Sequence, residues 1–313
     1  MSHDRPSRDP APGYRPTHDW PRWTPGAGAG GTWKASTEDF LVTEVPLIVP
    51  TGSGEHQWLR IEKVGLTTQD VVDALCFAAR VPPESIGYAG LKDRFARTIQ
   101  DFTIQLGKEV TALPDGMRIL ERTKNARRLR SGQLIGNDFA LFVRGGSASI
   151  AKARLELLRG TGMPNYYGAQ RVGGSAPGEG REILLGGGPR LRHNQLKFVL
   201  SAYQSLLFNR VLATRGQTRL EGDVEEDGIP TGPMFGPTMK MPTGAAWAVE
   251  QDVLAAEGLP QNAWTRFEKL TQGTRRKLWV NVEATLEEAD GGFWLRFRLP
   301  AGSYATELLE EIL

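Results

Sequence analysis

Alternating apolar and polar residues, the pattern of half-buried β-strands, occur towards both ends of this chain and are separated by a long middle segment of different character. Strands are predicted over residues 40–45, 85–88, 98–106, 139–143 and 293–299. A Thr67-x-x-Asp70 capping box predicts a helix over residues 67–80, and a short helix over residues 305–312 follows the last strand. The first and last thirds of the chain therefore predict one α+β sheet domain.

The middle of the chain predicts a separate domain. Residues 173–190 are rich in glycine, residues 195–215 carry apolar side chains at helical spacing, and residues 222–245 contain many Gly, Pro and Met residues. This composition predicts an inserted domain over residues 163–271 that interrupts a sheet domain made of residues 33–162 plus 272–313.

The first 32 residues are dense in Pro, Gly and charge and contain almost no aliphatic side chains. Such a segment buries too little apolar surface to offset the entropy of ordering it, so residues 1–32 are predicted to be a flexible tail. Gly26, Gly28 and Gly31 form a GxGxxG pattern, but no apolar strand precedes it and no helical pattern follows, which argues against a dinucleotide site.

Several classes of protein are excluded by what the sequence lacks. Cys76 is the only cysteine, so neither an internal disulfide nor a cysteine metal cluster can form. The four histidines show no HExxH spacing, and neither a phosphate-binding loop nor a GxSxG motif is present. No run reaches the roughly 18 apolar residues of a membrane span, and no signal peptide is evident. We therefore expect a soluble cytoplasmic protein with no metal site and no membrane segment.

The clearest candidate for chemistry is Asp93, in the loop sequence GLKDRFARTIQ between two predicted strands. Lys92, Arg94 and Arg97 surround it and are expected to hold the carboxylate ionised by lowering its pKa. An ionised carboxylate on a loop at a strand end is a candidate nucleophile or base. On the charge pattern alone, an exposed loop with salt bridges explains the same residues.

Basic residues are locally concentrated although 38 Lys+Arg nearly balance 36 Asp+Glu. The balance excludes a highly basic nucleic-acid-coating protein but leaves room for local patches. Six basic residues fall within residues 117–130, and others fall at Arg190, Arg192, Lys197 and residues 275–277. These clusters predict either phosphate contacts or a solvated basic face.

Asn137 and Phe139 are two residues apart, so they share one face if a strand begins there. A ring for stacking and an amide for hydrogen bonds suit an extruded base, whereas core packing is the alternative for Phe139. Tyr304 lies at the start of the last predicted helix and is compatible either with a site or with a helix's first turn.

Five segments together resemble the motifs of the TruD family of tRNA pseudouridine synthases. They are KASTEDFLVTE at 34–44, GYAGLKD at 87–93, GQLIGNDF at 132–139, PNYYGAQR at 164–171 and RLPAGSYAT at 298–306. The resemblance implies an α+β catalytic domain with a mixed, largely antiparallel sheet and flanking helices, a circularly permuted pseudouridine synthase fold, with an inserted α+β TRUD domain. It further implies isomerisation of a tRNA uridine, position 13 in bacterial members, with no cofactor and by a monomer.

Carried onto this sequence, the resemblance implies that Asp93 is the catalytic aspartate, that Phe40, Asn137 and Phe139 line the uridine pocket, and that Tyr304 completes it. Family members often carry phenylalanine where this chain has Tyr304. Lys34 is expected to pair with Asp93. Attack of Asp93 on C1′ and removal of a proton from C2′ both remain open.

Two competing functions remain at this level. One is a non-catalytic RNA-binding protein or RNA chaperone with the same fold, which would have no need for a carboxylate facing phosphates. The other is a carboxylate glycosidase, for which Asp39 and Glu44 would be available as the second acid.

Overall fold

The structure is a computed structural model that describes residues 20–260 and 262–313. Its residues cluster into two compact units. The unit that we call the sheet unit comprises Gly26–Gly160, Val282–Ala305 and Ile312–Leu313. The unit that we call the helical unit comprises Thr161–Asn281, Thr306–Glu311 and, within the described residues, 20–25. The domain limits of 33–162 plus 272–313 and 163–271 stay predictions from the sequence.

The sheet unit contains eight strands in one sheet. They are β1 Phe40–Pro46, β2 His56–Val64, β3 Ile86–Tyr88, β4 Arg97–Gln105, β5 Met117–Asn125, β6 Leu134–Arg144, β12 Glu283–Ala289 and β13 Gly292–Pro300. The order is β12-β13-β6-β1-β4-β2-β5, and β3 pairs with β4. β1 and β4 are parallel and the other neighbours are antiparallel. The predicted mixed, largely antiparallel sheet is therefore confirmed.

Helix α1, Thr68–Ala79, covers one part of one sheet face. Thr67 is its N-cap, with both hydrogen bonds of the predicted capping box to Asp70. The apolar stripe of α1 packs on alternate residues of β2 and β4, which is why these strands alternate in sequence. The cluster contains Leu59, Ile61, Val71, Val72, Leu75, Ala79, Ile86, Phe102, Ile104 and Val110. A second helix of this unit, α2 Ala148–Thr161, follows β6.

The strand register places the candidate pocket residues on the same sheet face as α1. Residues directly opposite each other on neighbouring strands point to the same face. Ile61 is opposite Gln100 on β4, so Gln100 and Thr98, two residues before it, point to the α1 face. Val42 on β1 is paired with Thr98 and therefore points to that face as well. Val42 is opposite Phe139, so Phe40, Asn137 and Phe139 share the face that α1 covers elsewhere.

The helical unit is built around α5, a 23-residue helix whose second half is buried. Its helices are α3 Ala169–Val172, α4 Ala176–Leu184, α5 His193–Arg215 and α6 Gly244–Glu257. Its strands are β7 Met163–Pro164, β8 Glu225–Glu226, β9 Ile229–Met234, β10 Thr274–Lys277 and β11 Trp279–Val280. The last helix of the chain is α7, Ala305–Ile312, at the predicted position. Short 3-10 turns occur at Pro83–Ser85 and Thr265–Phe267.

Residues 20–32 are packed, which differs from the flexible tail predicted for residues 1–32. In the helical unit, the backbone and hydroxyl of Thr24 donate to Glu311, and both side chains are buried. In the sheet unit, the Ala29 amide donates to the carbonyl of Ile312, and Thr32 forms a bridge with Arg144. Side-chain and backbone hydrogen bonds to distant residues order this segment, which its own composition cannot reveal. Residues 1–19 lie outside the described residues.

The described residues include no helix long and apolar enough to span a membrane.

Candidate active site

Asp93 lies in the loop between β3 and β4, and the preceding residue, Lys92, contacts Thr68 at the start of α1. Lys34 donates from Nζ to Oδ2 of Asp93 at 2.5 Å, and the backbone amide of Phe95 donates to Oδ1 at 3.0 Å. The Asp93 side chain keeps 31% of its surface exposed, so a ligand can reach the carboxylate. The predicted pairing of Lys34 with Asp93 is present in the structure.

The carboxyl group of Asp93 has a lowered pKa. Partial burial raises the pKa, but the hydrogen bonds from Lys34 and from the Phe95 amide, together with the charges of Lys34 and Lys63, outweigh it. Asp93 is therefore ionised at neutral pH. A carboxylate that is ionised, held by two donors and partly exposed can act as a nucleophile or a base.

The three basic neighbours of Asp93 in sequence, which were predicted to hold it ionised, pair with other carboxylates. Lys92 pairs with the buried Glu44, Arg94 with Asp70, and Arg97 with Glu62. The three neighbours in sequence are thus engaged elsewhere, and Lys34, 59 residues away, contacts the carboxylate. A loop residue's neighbours in the chain point in different directions, so its electrostatic partners are fixed by the tertiary fold.

Lys34 is held in one place by its backbone and by two aromatic rings. Its φ of 62° is in the left-handed region, which a residue with a Cβ adopts only at some cost. Its Nζ lies 4.8 Å from the centre of the Phe40 ring and 5.3 Å from that of Trp33. Because a cation over an aromatic face is attracted to it, Lys34 links Asp93 to the aromatic wall of the site.

That wall is a ladder of three stacked phenylalanines from neighbouring strands. Phe139 on β6 lies between Phe40 on β1, at 6.4 Å and 11° between ring planes, and Phe297 on β13, at 5.1 Å and 20°. Phe40 and Phe297 are buried, whereas Phe139 is only half-buried. Phe139 therefore packs with core residues and is also partly exposed, and its stacking on a base stays a prediction.

Phe297 was missing from the predicted site residues. The alternation in residues 293–299 placed it on a strand, but only the pairing of β13 with β6, which sets it opposite Phe139, shows that it backs the same wall.

Asn137 lies on the same face of β6, two residues before Phe139. Its Oδ1 is buried and has no hydrogen-bond partner among the described residues. A buried amide oxygen without a partner costs free energy, and a bound ligand with an N–H group can satisfy it.

Tyr304 stands in the turn between β13 and α7 and is half-buried. The contacts described above join Asp93, Lys34, Phe40 and Phe139 into one chain of neighbours, with Asn137 beside Phe139. The place of Tyr304 in the pocket stays a prediction.

A buried polar network fixes the loop just before Asp93. Lys92 pairs with Glu44, and its backbone amide donates to Thr68 Oγ1 at 2.9 Å. Thr68 donates in turn to Gln100 Oε1 at 3.1 Å, and Gln100 Nε2 donates to the carbonyl of Gly90 at 2.5 Å. A Cβ on Gly90 would lie 2.9 Å from Lys92 Nζ. The glycine therefore makes room for the ion pair that holds the loop against the sheet.

Lys63, at the end of β2, was also missing from the predicted site. Its side chain is almost wholly buried, and Nζ donates to the backbone carbonyls of Asp93 at 2.9 Å and Leu66 at 2.5 Å. Burial lowers the pKa of this amine to about 8, although the nearby Asp93 acts to raise it. No motif in the sequence signals this role, because Lys63 reads as a polar residue of an ordinary strand.

The acids considered for a glycosidase are engaged in ion pairs. Asp39 accepts two hydrogen bonds from Arg144, at 2.8 and 2.9 Å, and Glu44 pairs with Lys92. Both carboxylates are buried. Among residues 20–260 and 262–313, no group of three His, Cys, Asp or Glu side chains is placed to hold a metal ion.

Comparison with known proteins adds a family to this geometry. The family model described as tRNA pseudouridine synthase D (TruD) matches residues 22–180 and 224–312. The tRNA pseudouridine synthase D of Anaeromyxobacter sp. (strain Fw109-5) is 38% identical, over 91% of this chain and 93% of its own length. A protein of that name from Thermus thermophilus is 37% identical, over 91% and 89%.

A solved structure agrees with the fold. The crystal structure of a TruD protein from Methanosarcina mazei matches this one with a TM-score of 0.74 and 20% identity, over 93% of this chain and 95% of that one.

Proposed function

This chain belongs to the TruD family of tRNA pseudouridine synthases, and from that premise we propose that it isomerises uridine 13 of tRNA to pseudouridine with Asp93 as the catalytic carboxylate. The resemblance found in the five sequence motifs is confirmed, and with it the class of enzyme, an isomerase acting on a tRNA uridine. The position of the uridine and the roles of individual residues are the proposed part.

The observation that carries the residue roles is the state of Asp93. Its carboxylate is ionised, partly exposed, and held by Lys34 beside a wall of aromatic rings. A protein that only binds RNA gains nothing from a carboxylate facing phosphates, since the two anions repel each other. Catalysis gives this carboxylate a use.

The uridine reaches Asp93 by leaving its stack in the tRNA, at a cost of a few kcal/mol. Phe139, stacked between Phe40 and Phe297, offers the uracil the part of its ring that these neighbours leave exposed. Oδ1 of Asn137 accepts the N3–H of the uracil and so gains the partner that it lacks in the free protein. Both contacts recover part of the cost of extrusion.

In the reaction the N1–C1′ glycosidic bond breaks and a C5–C1′ bond forms. The proton on C5 leaves and N1 gains one, so substrate and product have the same composition and no other reactant is consumed. Asp93 assists by bonding to C1′ or by taking a proton from C2′. The free uracil turns within the closed pocket, where exclusion of water prevents its escape.

Lys34 and Tyr304 complete the proposed site. Lys34 keeps the carboxylate ionised and oriented through its short hydrogen bond. Tyr304 stacks from the turn before α7 and presents a hydroxyl, which family members with phenylalanine lack, towards the base or the sugar. We further propose that the enzyme acts on tRNA as a monomer in the cytoplasm without a metal or an organic cofactor, and light scattering checks the 34.4-kDa mass.

The test replaces the carboxylate alone. Asp93→Asn keeps the size and the hydrogen bond from Phe95 but removes the charge, so we expect tRNA binding within a few-fold of wild type and no detectable pseudouridine. An unmodified tRNA transcript is the substrate, and product is measured by tritium release from C5.

The exposed Asp290 supplies the matched control, because Asp290→Asn makes the same chemical change in the turn between β12 and β13, which β6 and β1 separate from β4, and should leave the rate unchanged. Equal turnover by Asp93→Asn and Asp290→Asn would remove Asp93 from the mechanism. Wild-type protein that binds tRNA without forming pseudouridine would instead support the RNA-binding alternative.

A further inference from the structure

The sheet unit contains a cleft that the proposed reaction at Asp93 leaves unused. Its volume is about 970 Å³, near the upper end of the roughly 300–1,000 Å³ of small-molecule sites. It is formed by β3, the loop that follows it and the connection between β5 and β6. The lining residues that matter below are His56, Tyr88, Leu91, Arg127, Arg128 and Arg130.

The charge of this cleft is positive and uncompensated. Three arginines line it and no Asp or Glu does. Arg128 donates to the carbonyl of Ile86 at 2.6 Å, which fixes the connection against β3. Arg127 and Arg130 are exposed, and neither forms an ion pair within the described part of the chain. By contrast, Arg118, from the same basic run, pairs with Glu62.

A buried imidazole also lines the cleft. His56 is 7% exposed and lines the cleft, and its Nδ1 has no hydrogen-bond partner among the described residues. Buried polar atoms are normally satisfied by protein, water or ligand. Two free guanidinium groups at the rim and an unsatisfied imidazole nitrogen within point to a ligand that is anionic and rich in oxygen.

The cleft shares a wall with the catalytic loop. Tyr88 and Leu91 line it, and Leu91, 78% exposed, is two residues before Asp93. The amide of Gly132 donates to the carbonyl of Ala89 at 2.8 Å, which ties the arginine-bearing connection to the start of that loop. An RNA strand whose uridine lies at Asp93 would therefore continue into the cleft or pass beside it.

We propose that this cleft holds the RNA strand adjoining the extruded uridine, with Arg127 and Arg130 contacting consecutive phosphates and His56 donating to a sugar or phosphate oxygen. The planar guanidinium fork suits phosphate oxygens. The proposal rests on the proposed function, because it assumes that the strand enters at Asp93. It adds a positioning site for the neighbouring nucleotides, whose phosphates fix the register and orientation of the bound strand.

The first experiment measures binding without turnover. In the Asp93→Asn background, Arg127→Ala/Arg130→Ala should bind an unmodified tRNA transcript at least about tenfold more weakly at low salt, since each charged hydrogen bond is lost. The slope of log K against log salt should fall by about 2, close to one for each phosphate contact. Arg296→Ala is the matched control, because Arg296 is exposed on β13, which β6 and β1 separate from β4, and it does not line the cleft.

The second experiment locates the contact. A methylphosphonate, which removes one phosphate charge, is placed at each linkage within three nucleotides of the target uridine. The Asp93→Asn and Arg296→Ala/Asp93→Asn proteins should lose affinity at one or two of these linkages, and the protein that also lacks Arg127 and Arg130 should be insensitive there. Equal sensitivity in all three proteins would overturn the proposal. It would also be overturned if the protein lacking Arg127 and Arg130 bound tRNA more weakly but no methylphosphonate reduced the affinity of the two proteins that keep these arginines.

Activity separates this proposal from the assignment of the reaction. With Asp93 intact, the variant lacking Arg127 and Arg130 should show a raised KM and an unchanged single-turnover rate at saturating protein. If the wild type forms pseudouridine and this variant matches Arg296→Ala in KM, the cleft proposal fails and the reaction stands. If the wild type forms none, the reaction fails whatever the methylphosphonate series shows. Thermal unfolding of each variant confirms that the fold is kept.

Discussion

At the scale of single residues, the proposed site depends on the Asp93 carboxylate, whose pKa is raised by burial and lowered by neighbouring donors and cations. Burial alone would raise the pKa of Asp93 and reduce its charge, and Lys34 reverses that effect. Lys34 is in turn held by a left-handed backbone and the rings of Trp33 and Phe40. The ionised state of the aspartate thus depends on residues that are distant from it in the sequence.

Replacing Lys34 by methionine should move the acidic limb of the pH–rate profile to higher pH. Without the cation, both the hydrogen bond and the charge by which Lys34 lowers the pKa of Asp93 are lost, so the pKa rises and the ionised form is lost at a pH where the wild type is still active. The single-turnover rate measured from pH 5 to pH 8 checks this, and Lys34→Arg should restore much of the wild-type profile. A lower rate with an unmoved limb would mean that Lys34 acts only by orientation.

Asn137→Leu should separate activity from stability. The Asn137 oxygen is buried without a partner, so an apolar side chain of similar size should leave the free energy of unfolding unchanged or raise it by up to about 1 kcal/mol. The same change removes the acceptor for the uracil N3–H and should lower kcat/KM by about tenfold or more. Urea unfolding and steady-state kinetics measure the two effects, and a destabilised but fully active variant would contradict this role.

At the scale of elements, a side chain at the end of β2 holds the loop that carries Asp93. Lys63 donates to the carbonyls of Asp93 and Leu66, joining the end of the strand to the loop and to the segment that leads into α1. The network of Thr68, Gln100 and Gly90 holds the same loop from the side of β4. Asp93 is therefore positioned by two regular elements although it stands on a loop.

Lys63 should also make stability depend on pH in the alkaline range. Its pKa is lowered from 10.5 to about 8 in the folded protein, so between these values the unfolded chain binds the proton and the folded chain does not. Stability due to this group therefore rises with pH from about 8 to about 10.5. Urea unfolding should show the wild type gaining on Lys63→Met over that range, and parallel curves would rule out the shift.

Much of this fold could be predicted from sequence, and the failures have physical causes. The alternation near Phe102, Phe139 and Phe293 located β4, β6 and β13, because each of these strands has one face in the core. β5 was not predicted, because its residues are largely exposed at the sheet edge and its basic side chains obscure any alternation. Lys63 and Phe297 became visible only through strand register, which a single sequence does not specify.

At the scale of the whole molecule, the near-neutral net charge does not show that basic residues in different clusters make different contacts. The formal net charge is +2, yet the cluster at 275–277 is engaged within the helical unit. Arg275 pairs with the buried Glu250, Arg276 donates to Asn165, and Lys277 pairs with Asp227. This cluster therefore stabilises the fold, whereas Arg127 and Arg130 in the sheet unit form no ion pair with the described residues, which leaves them available for the phosphate contacts proposed above.

The most direct test of the central claim maps pseudouridine at position 13 of tRNA from cells that lack this protein. We expect the modification to be absent there, restored by the wild-type gene, and not restored by a gene encoding Asp93→Asn expressed to the same level. Restoration by Asp93→Asn, or unchanged pseudouridine at position 13 in cells without the protein, would contradict the account.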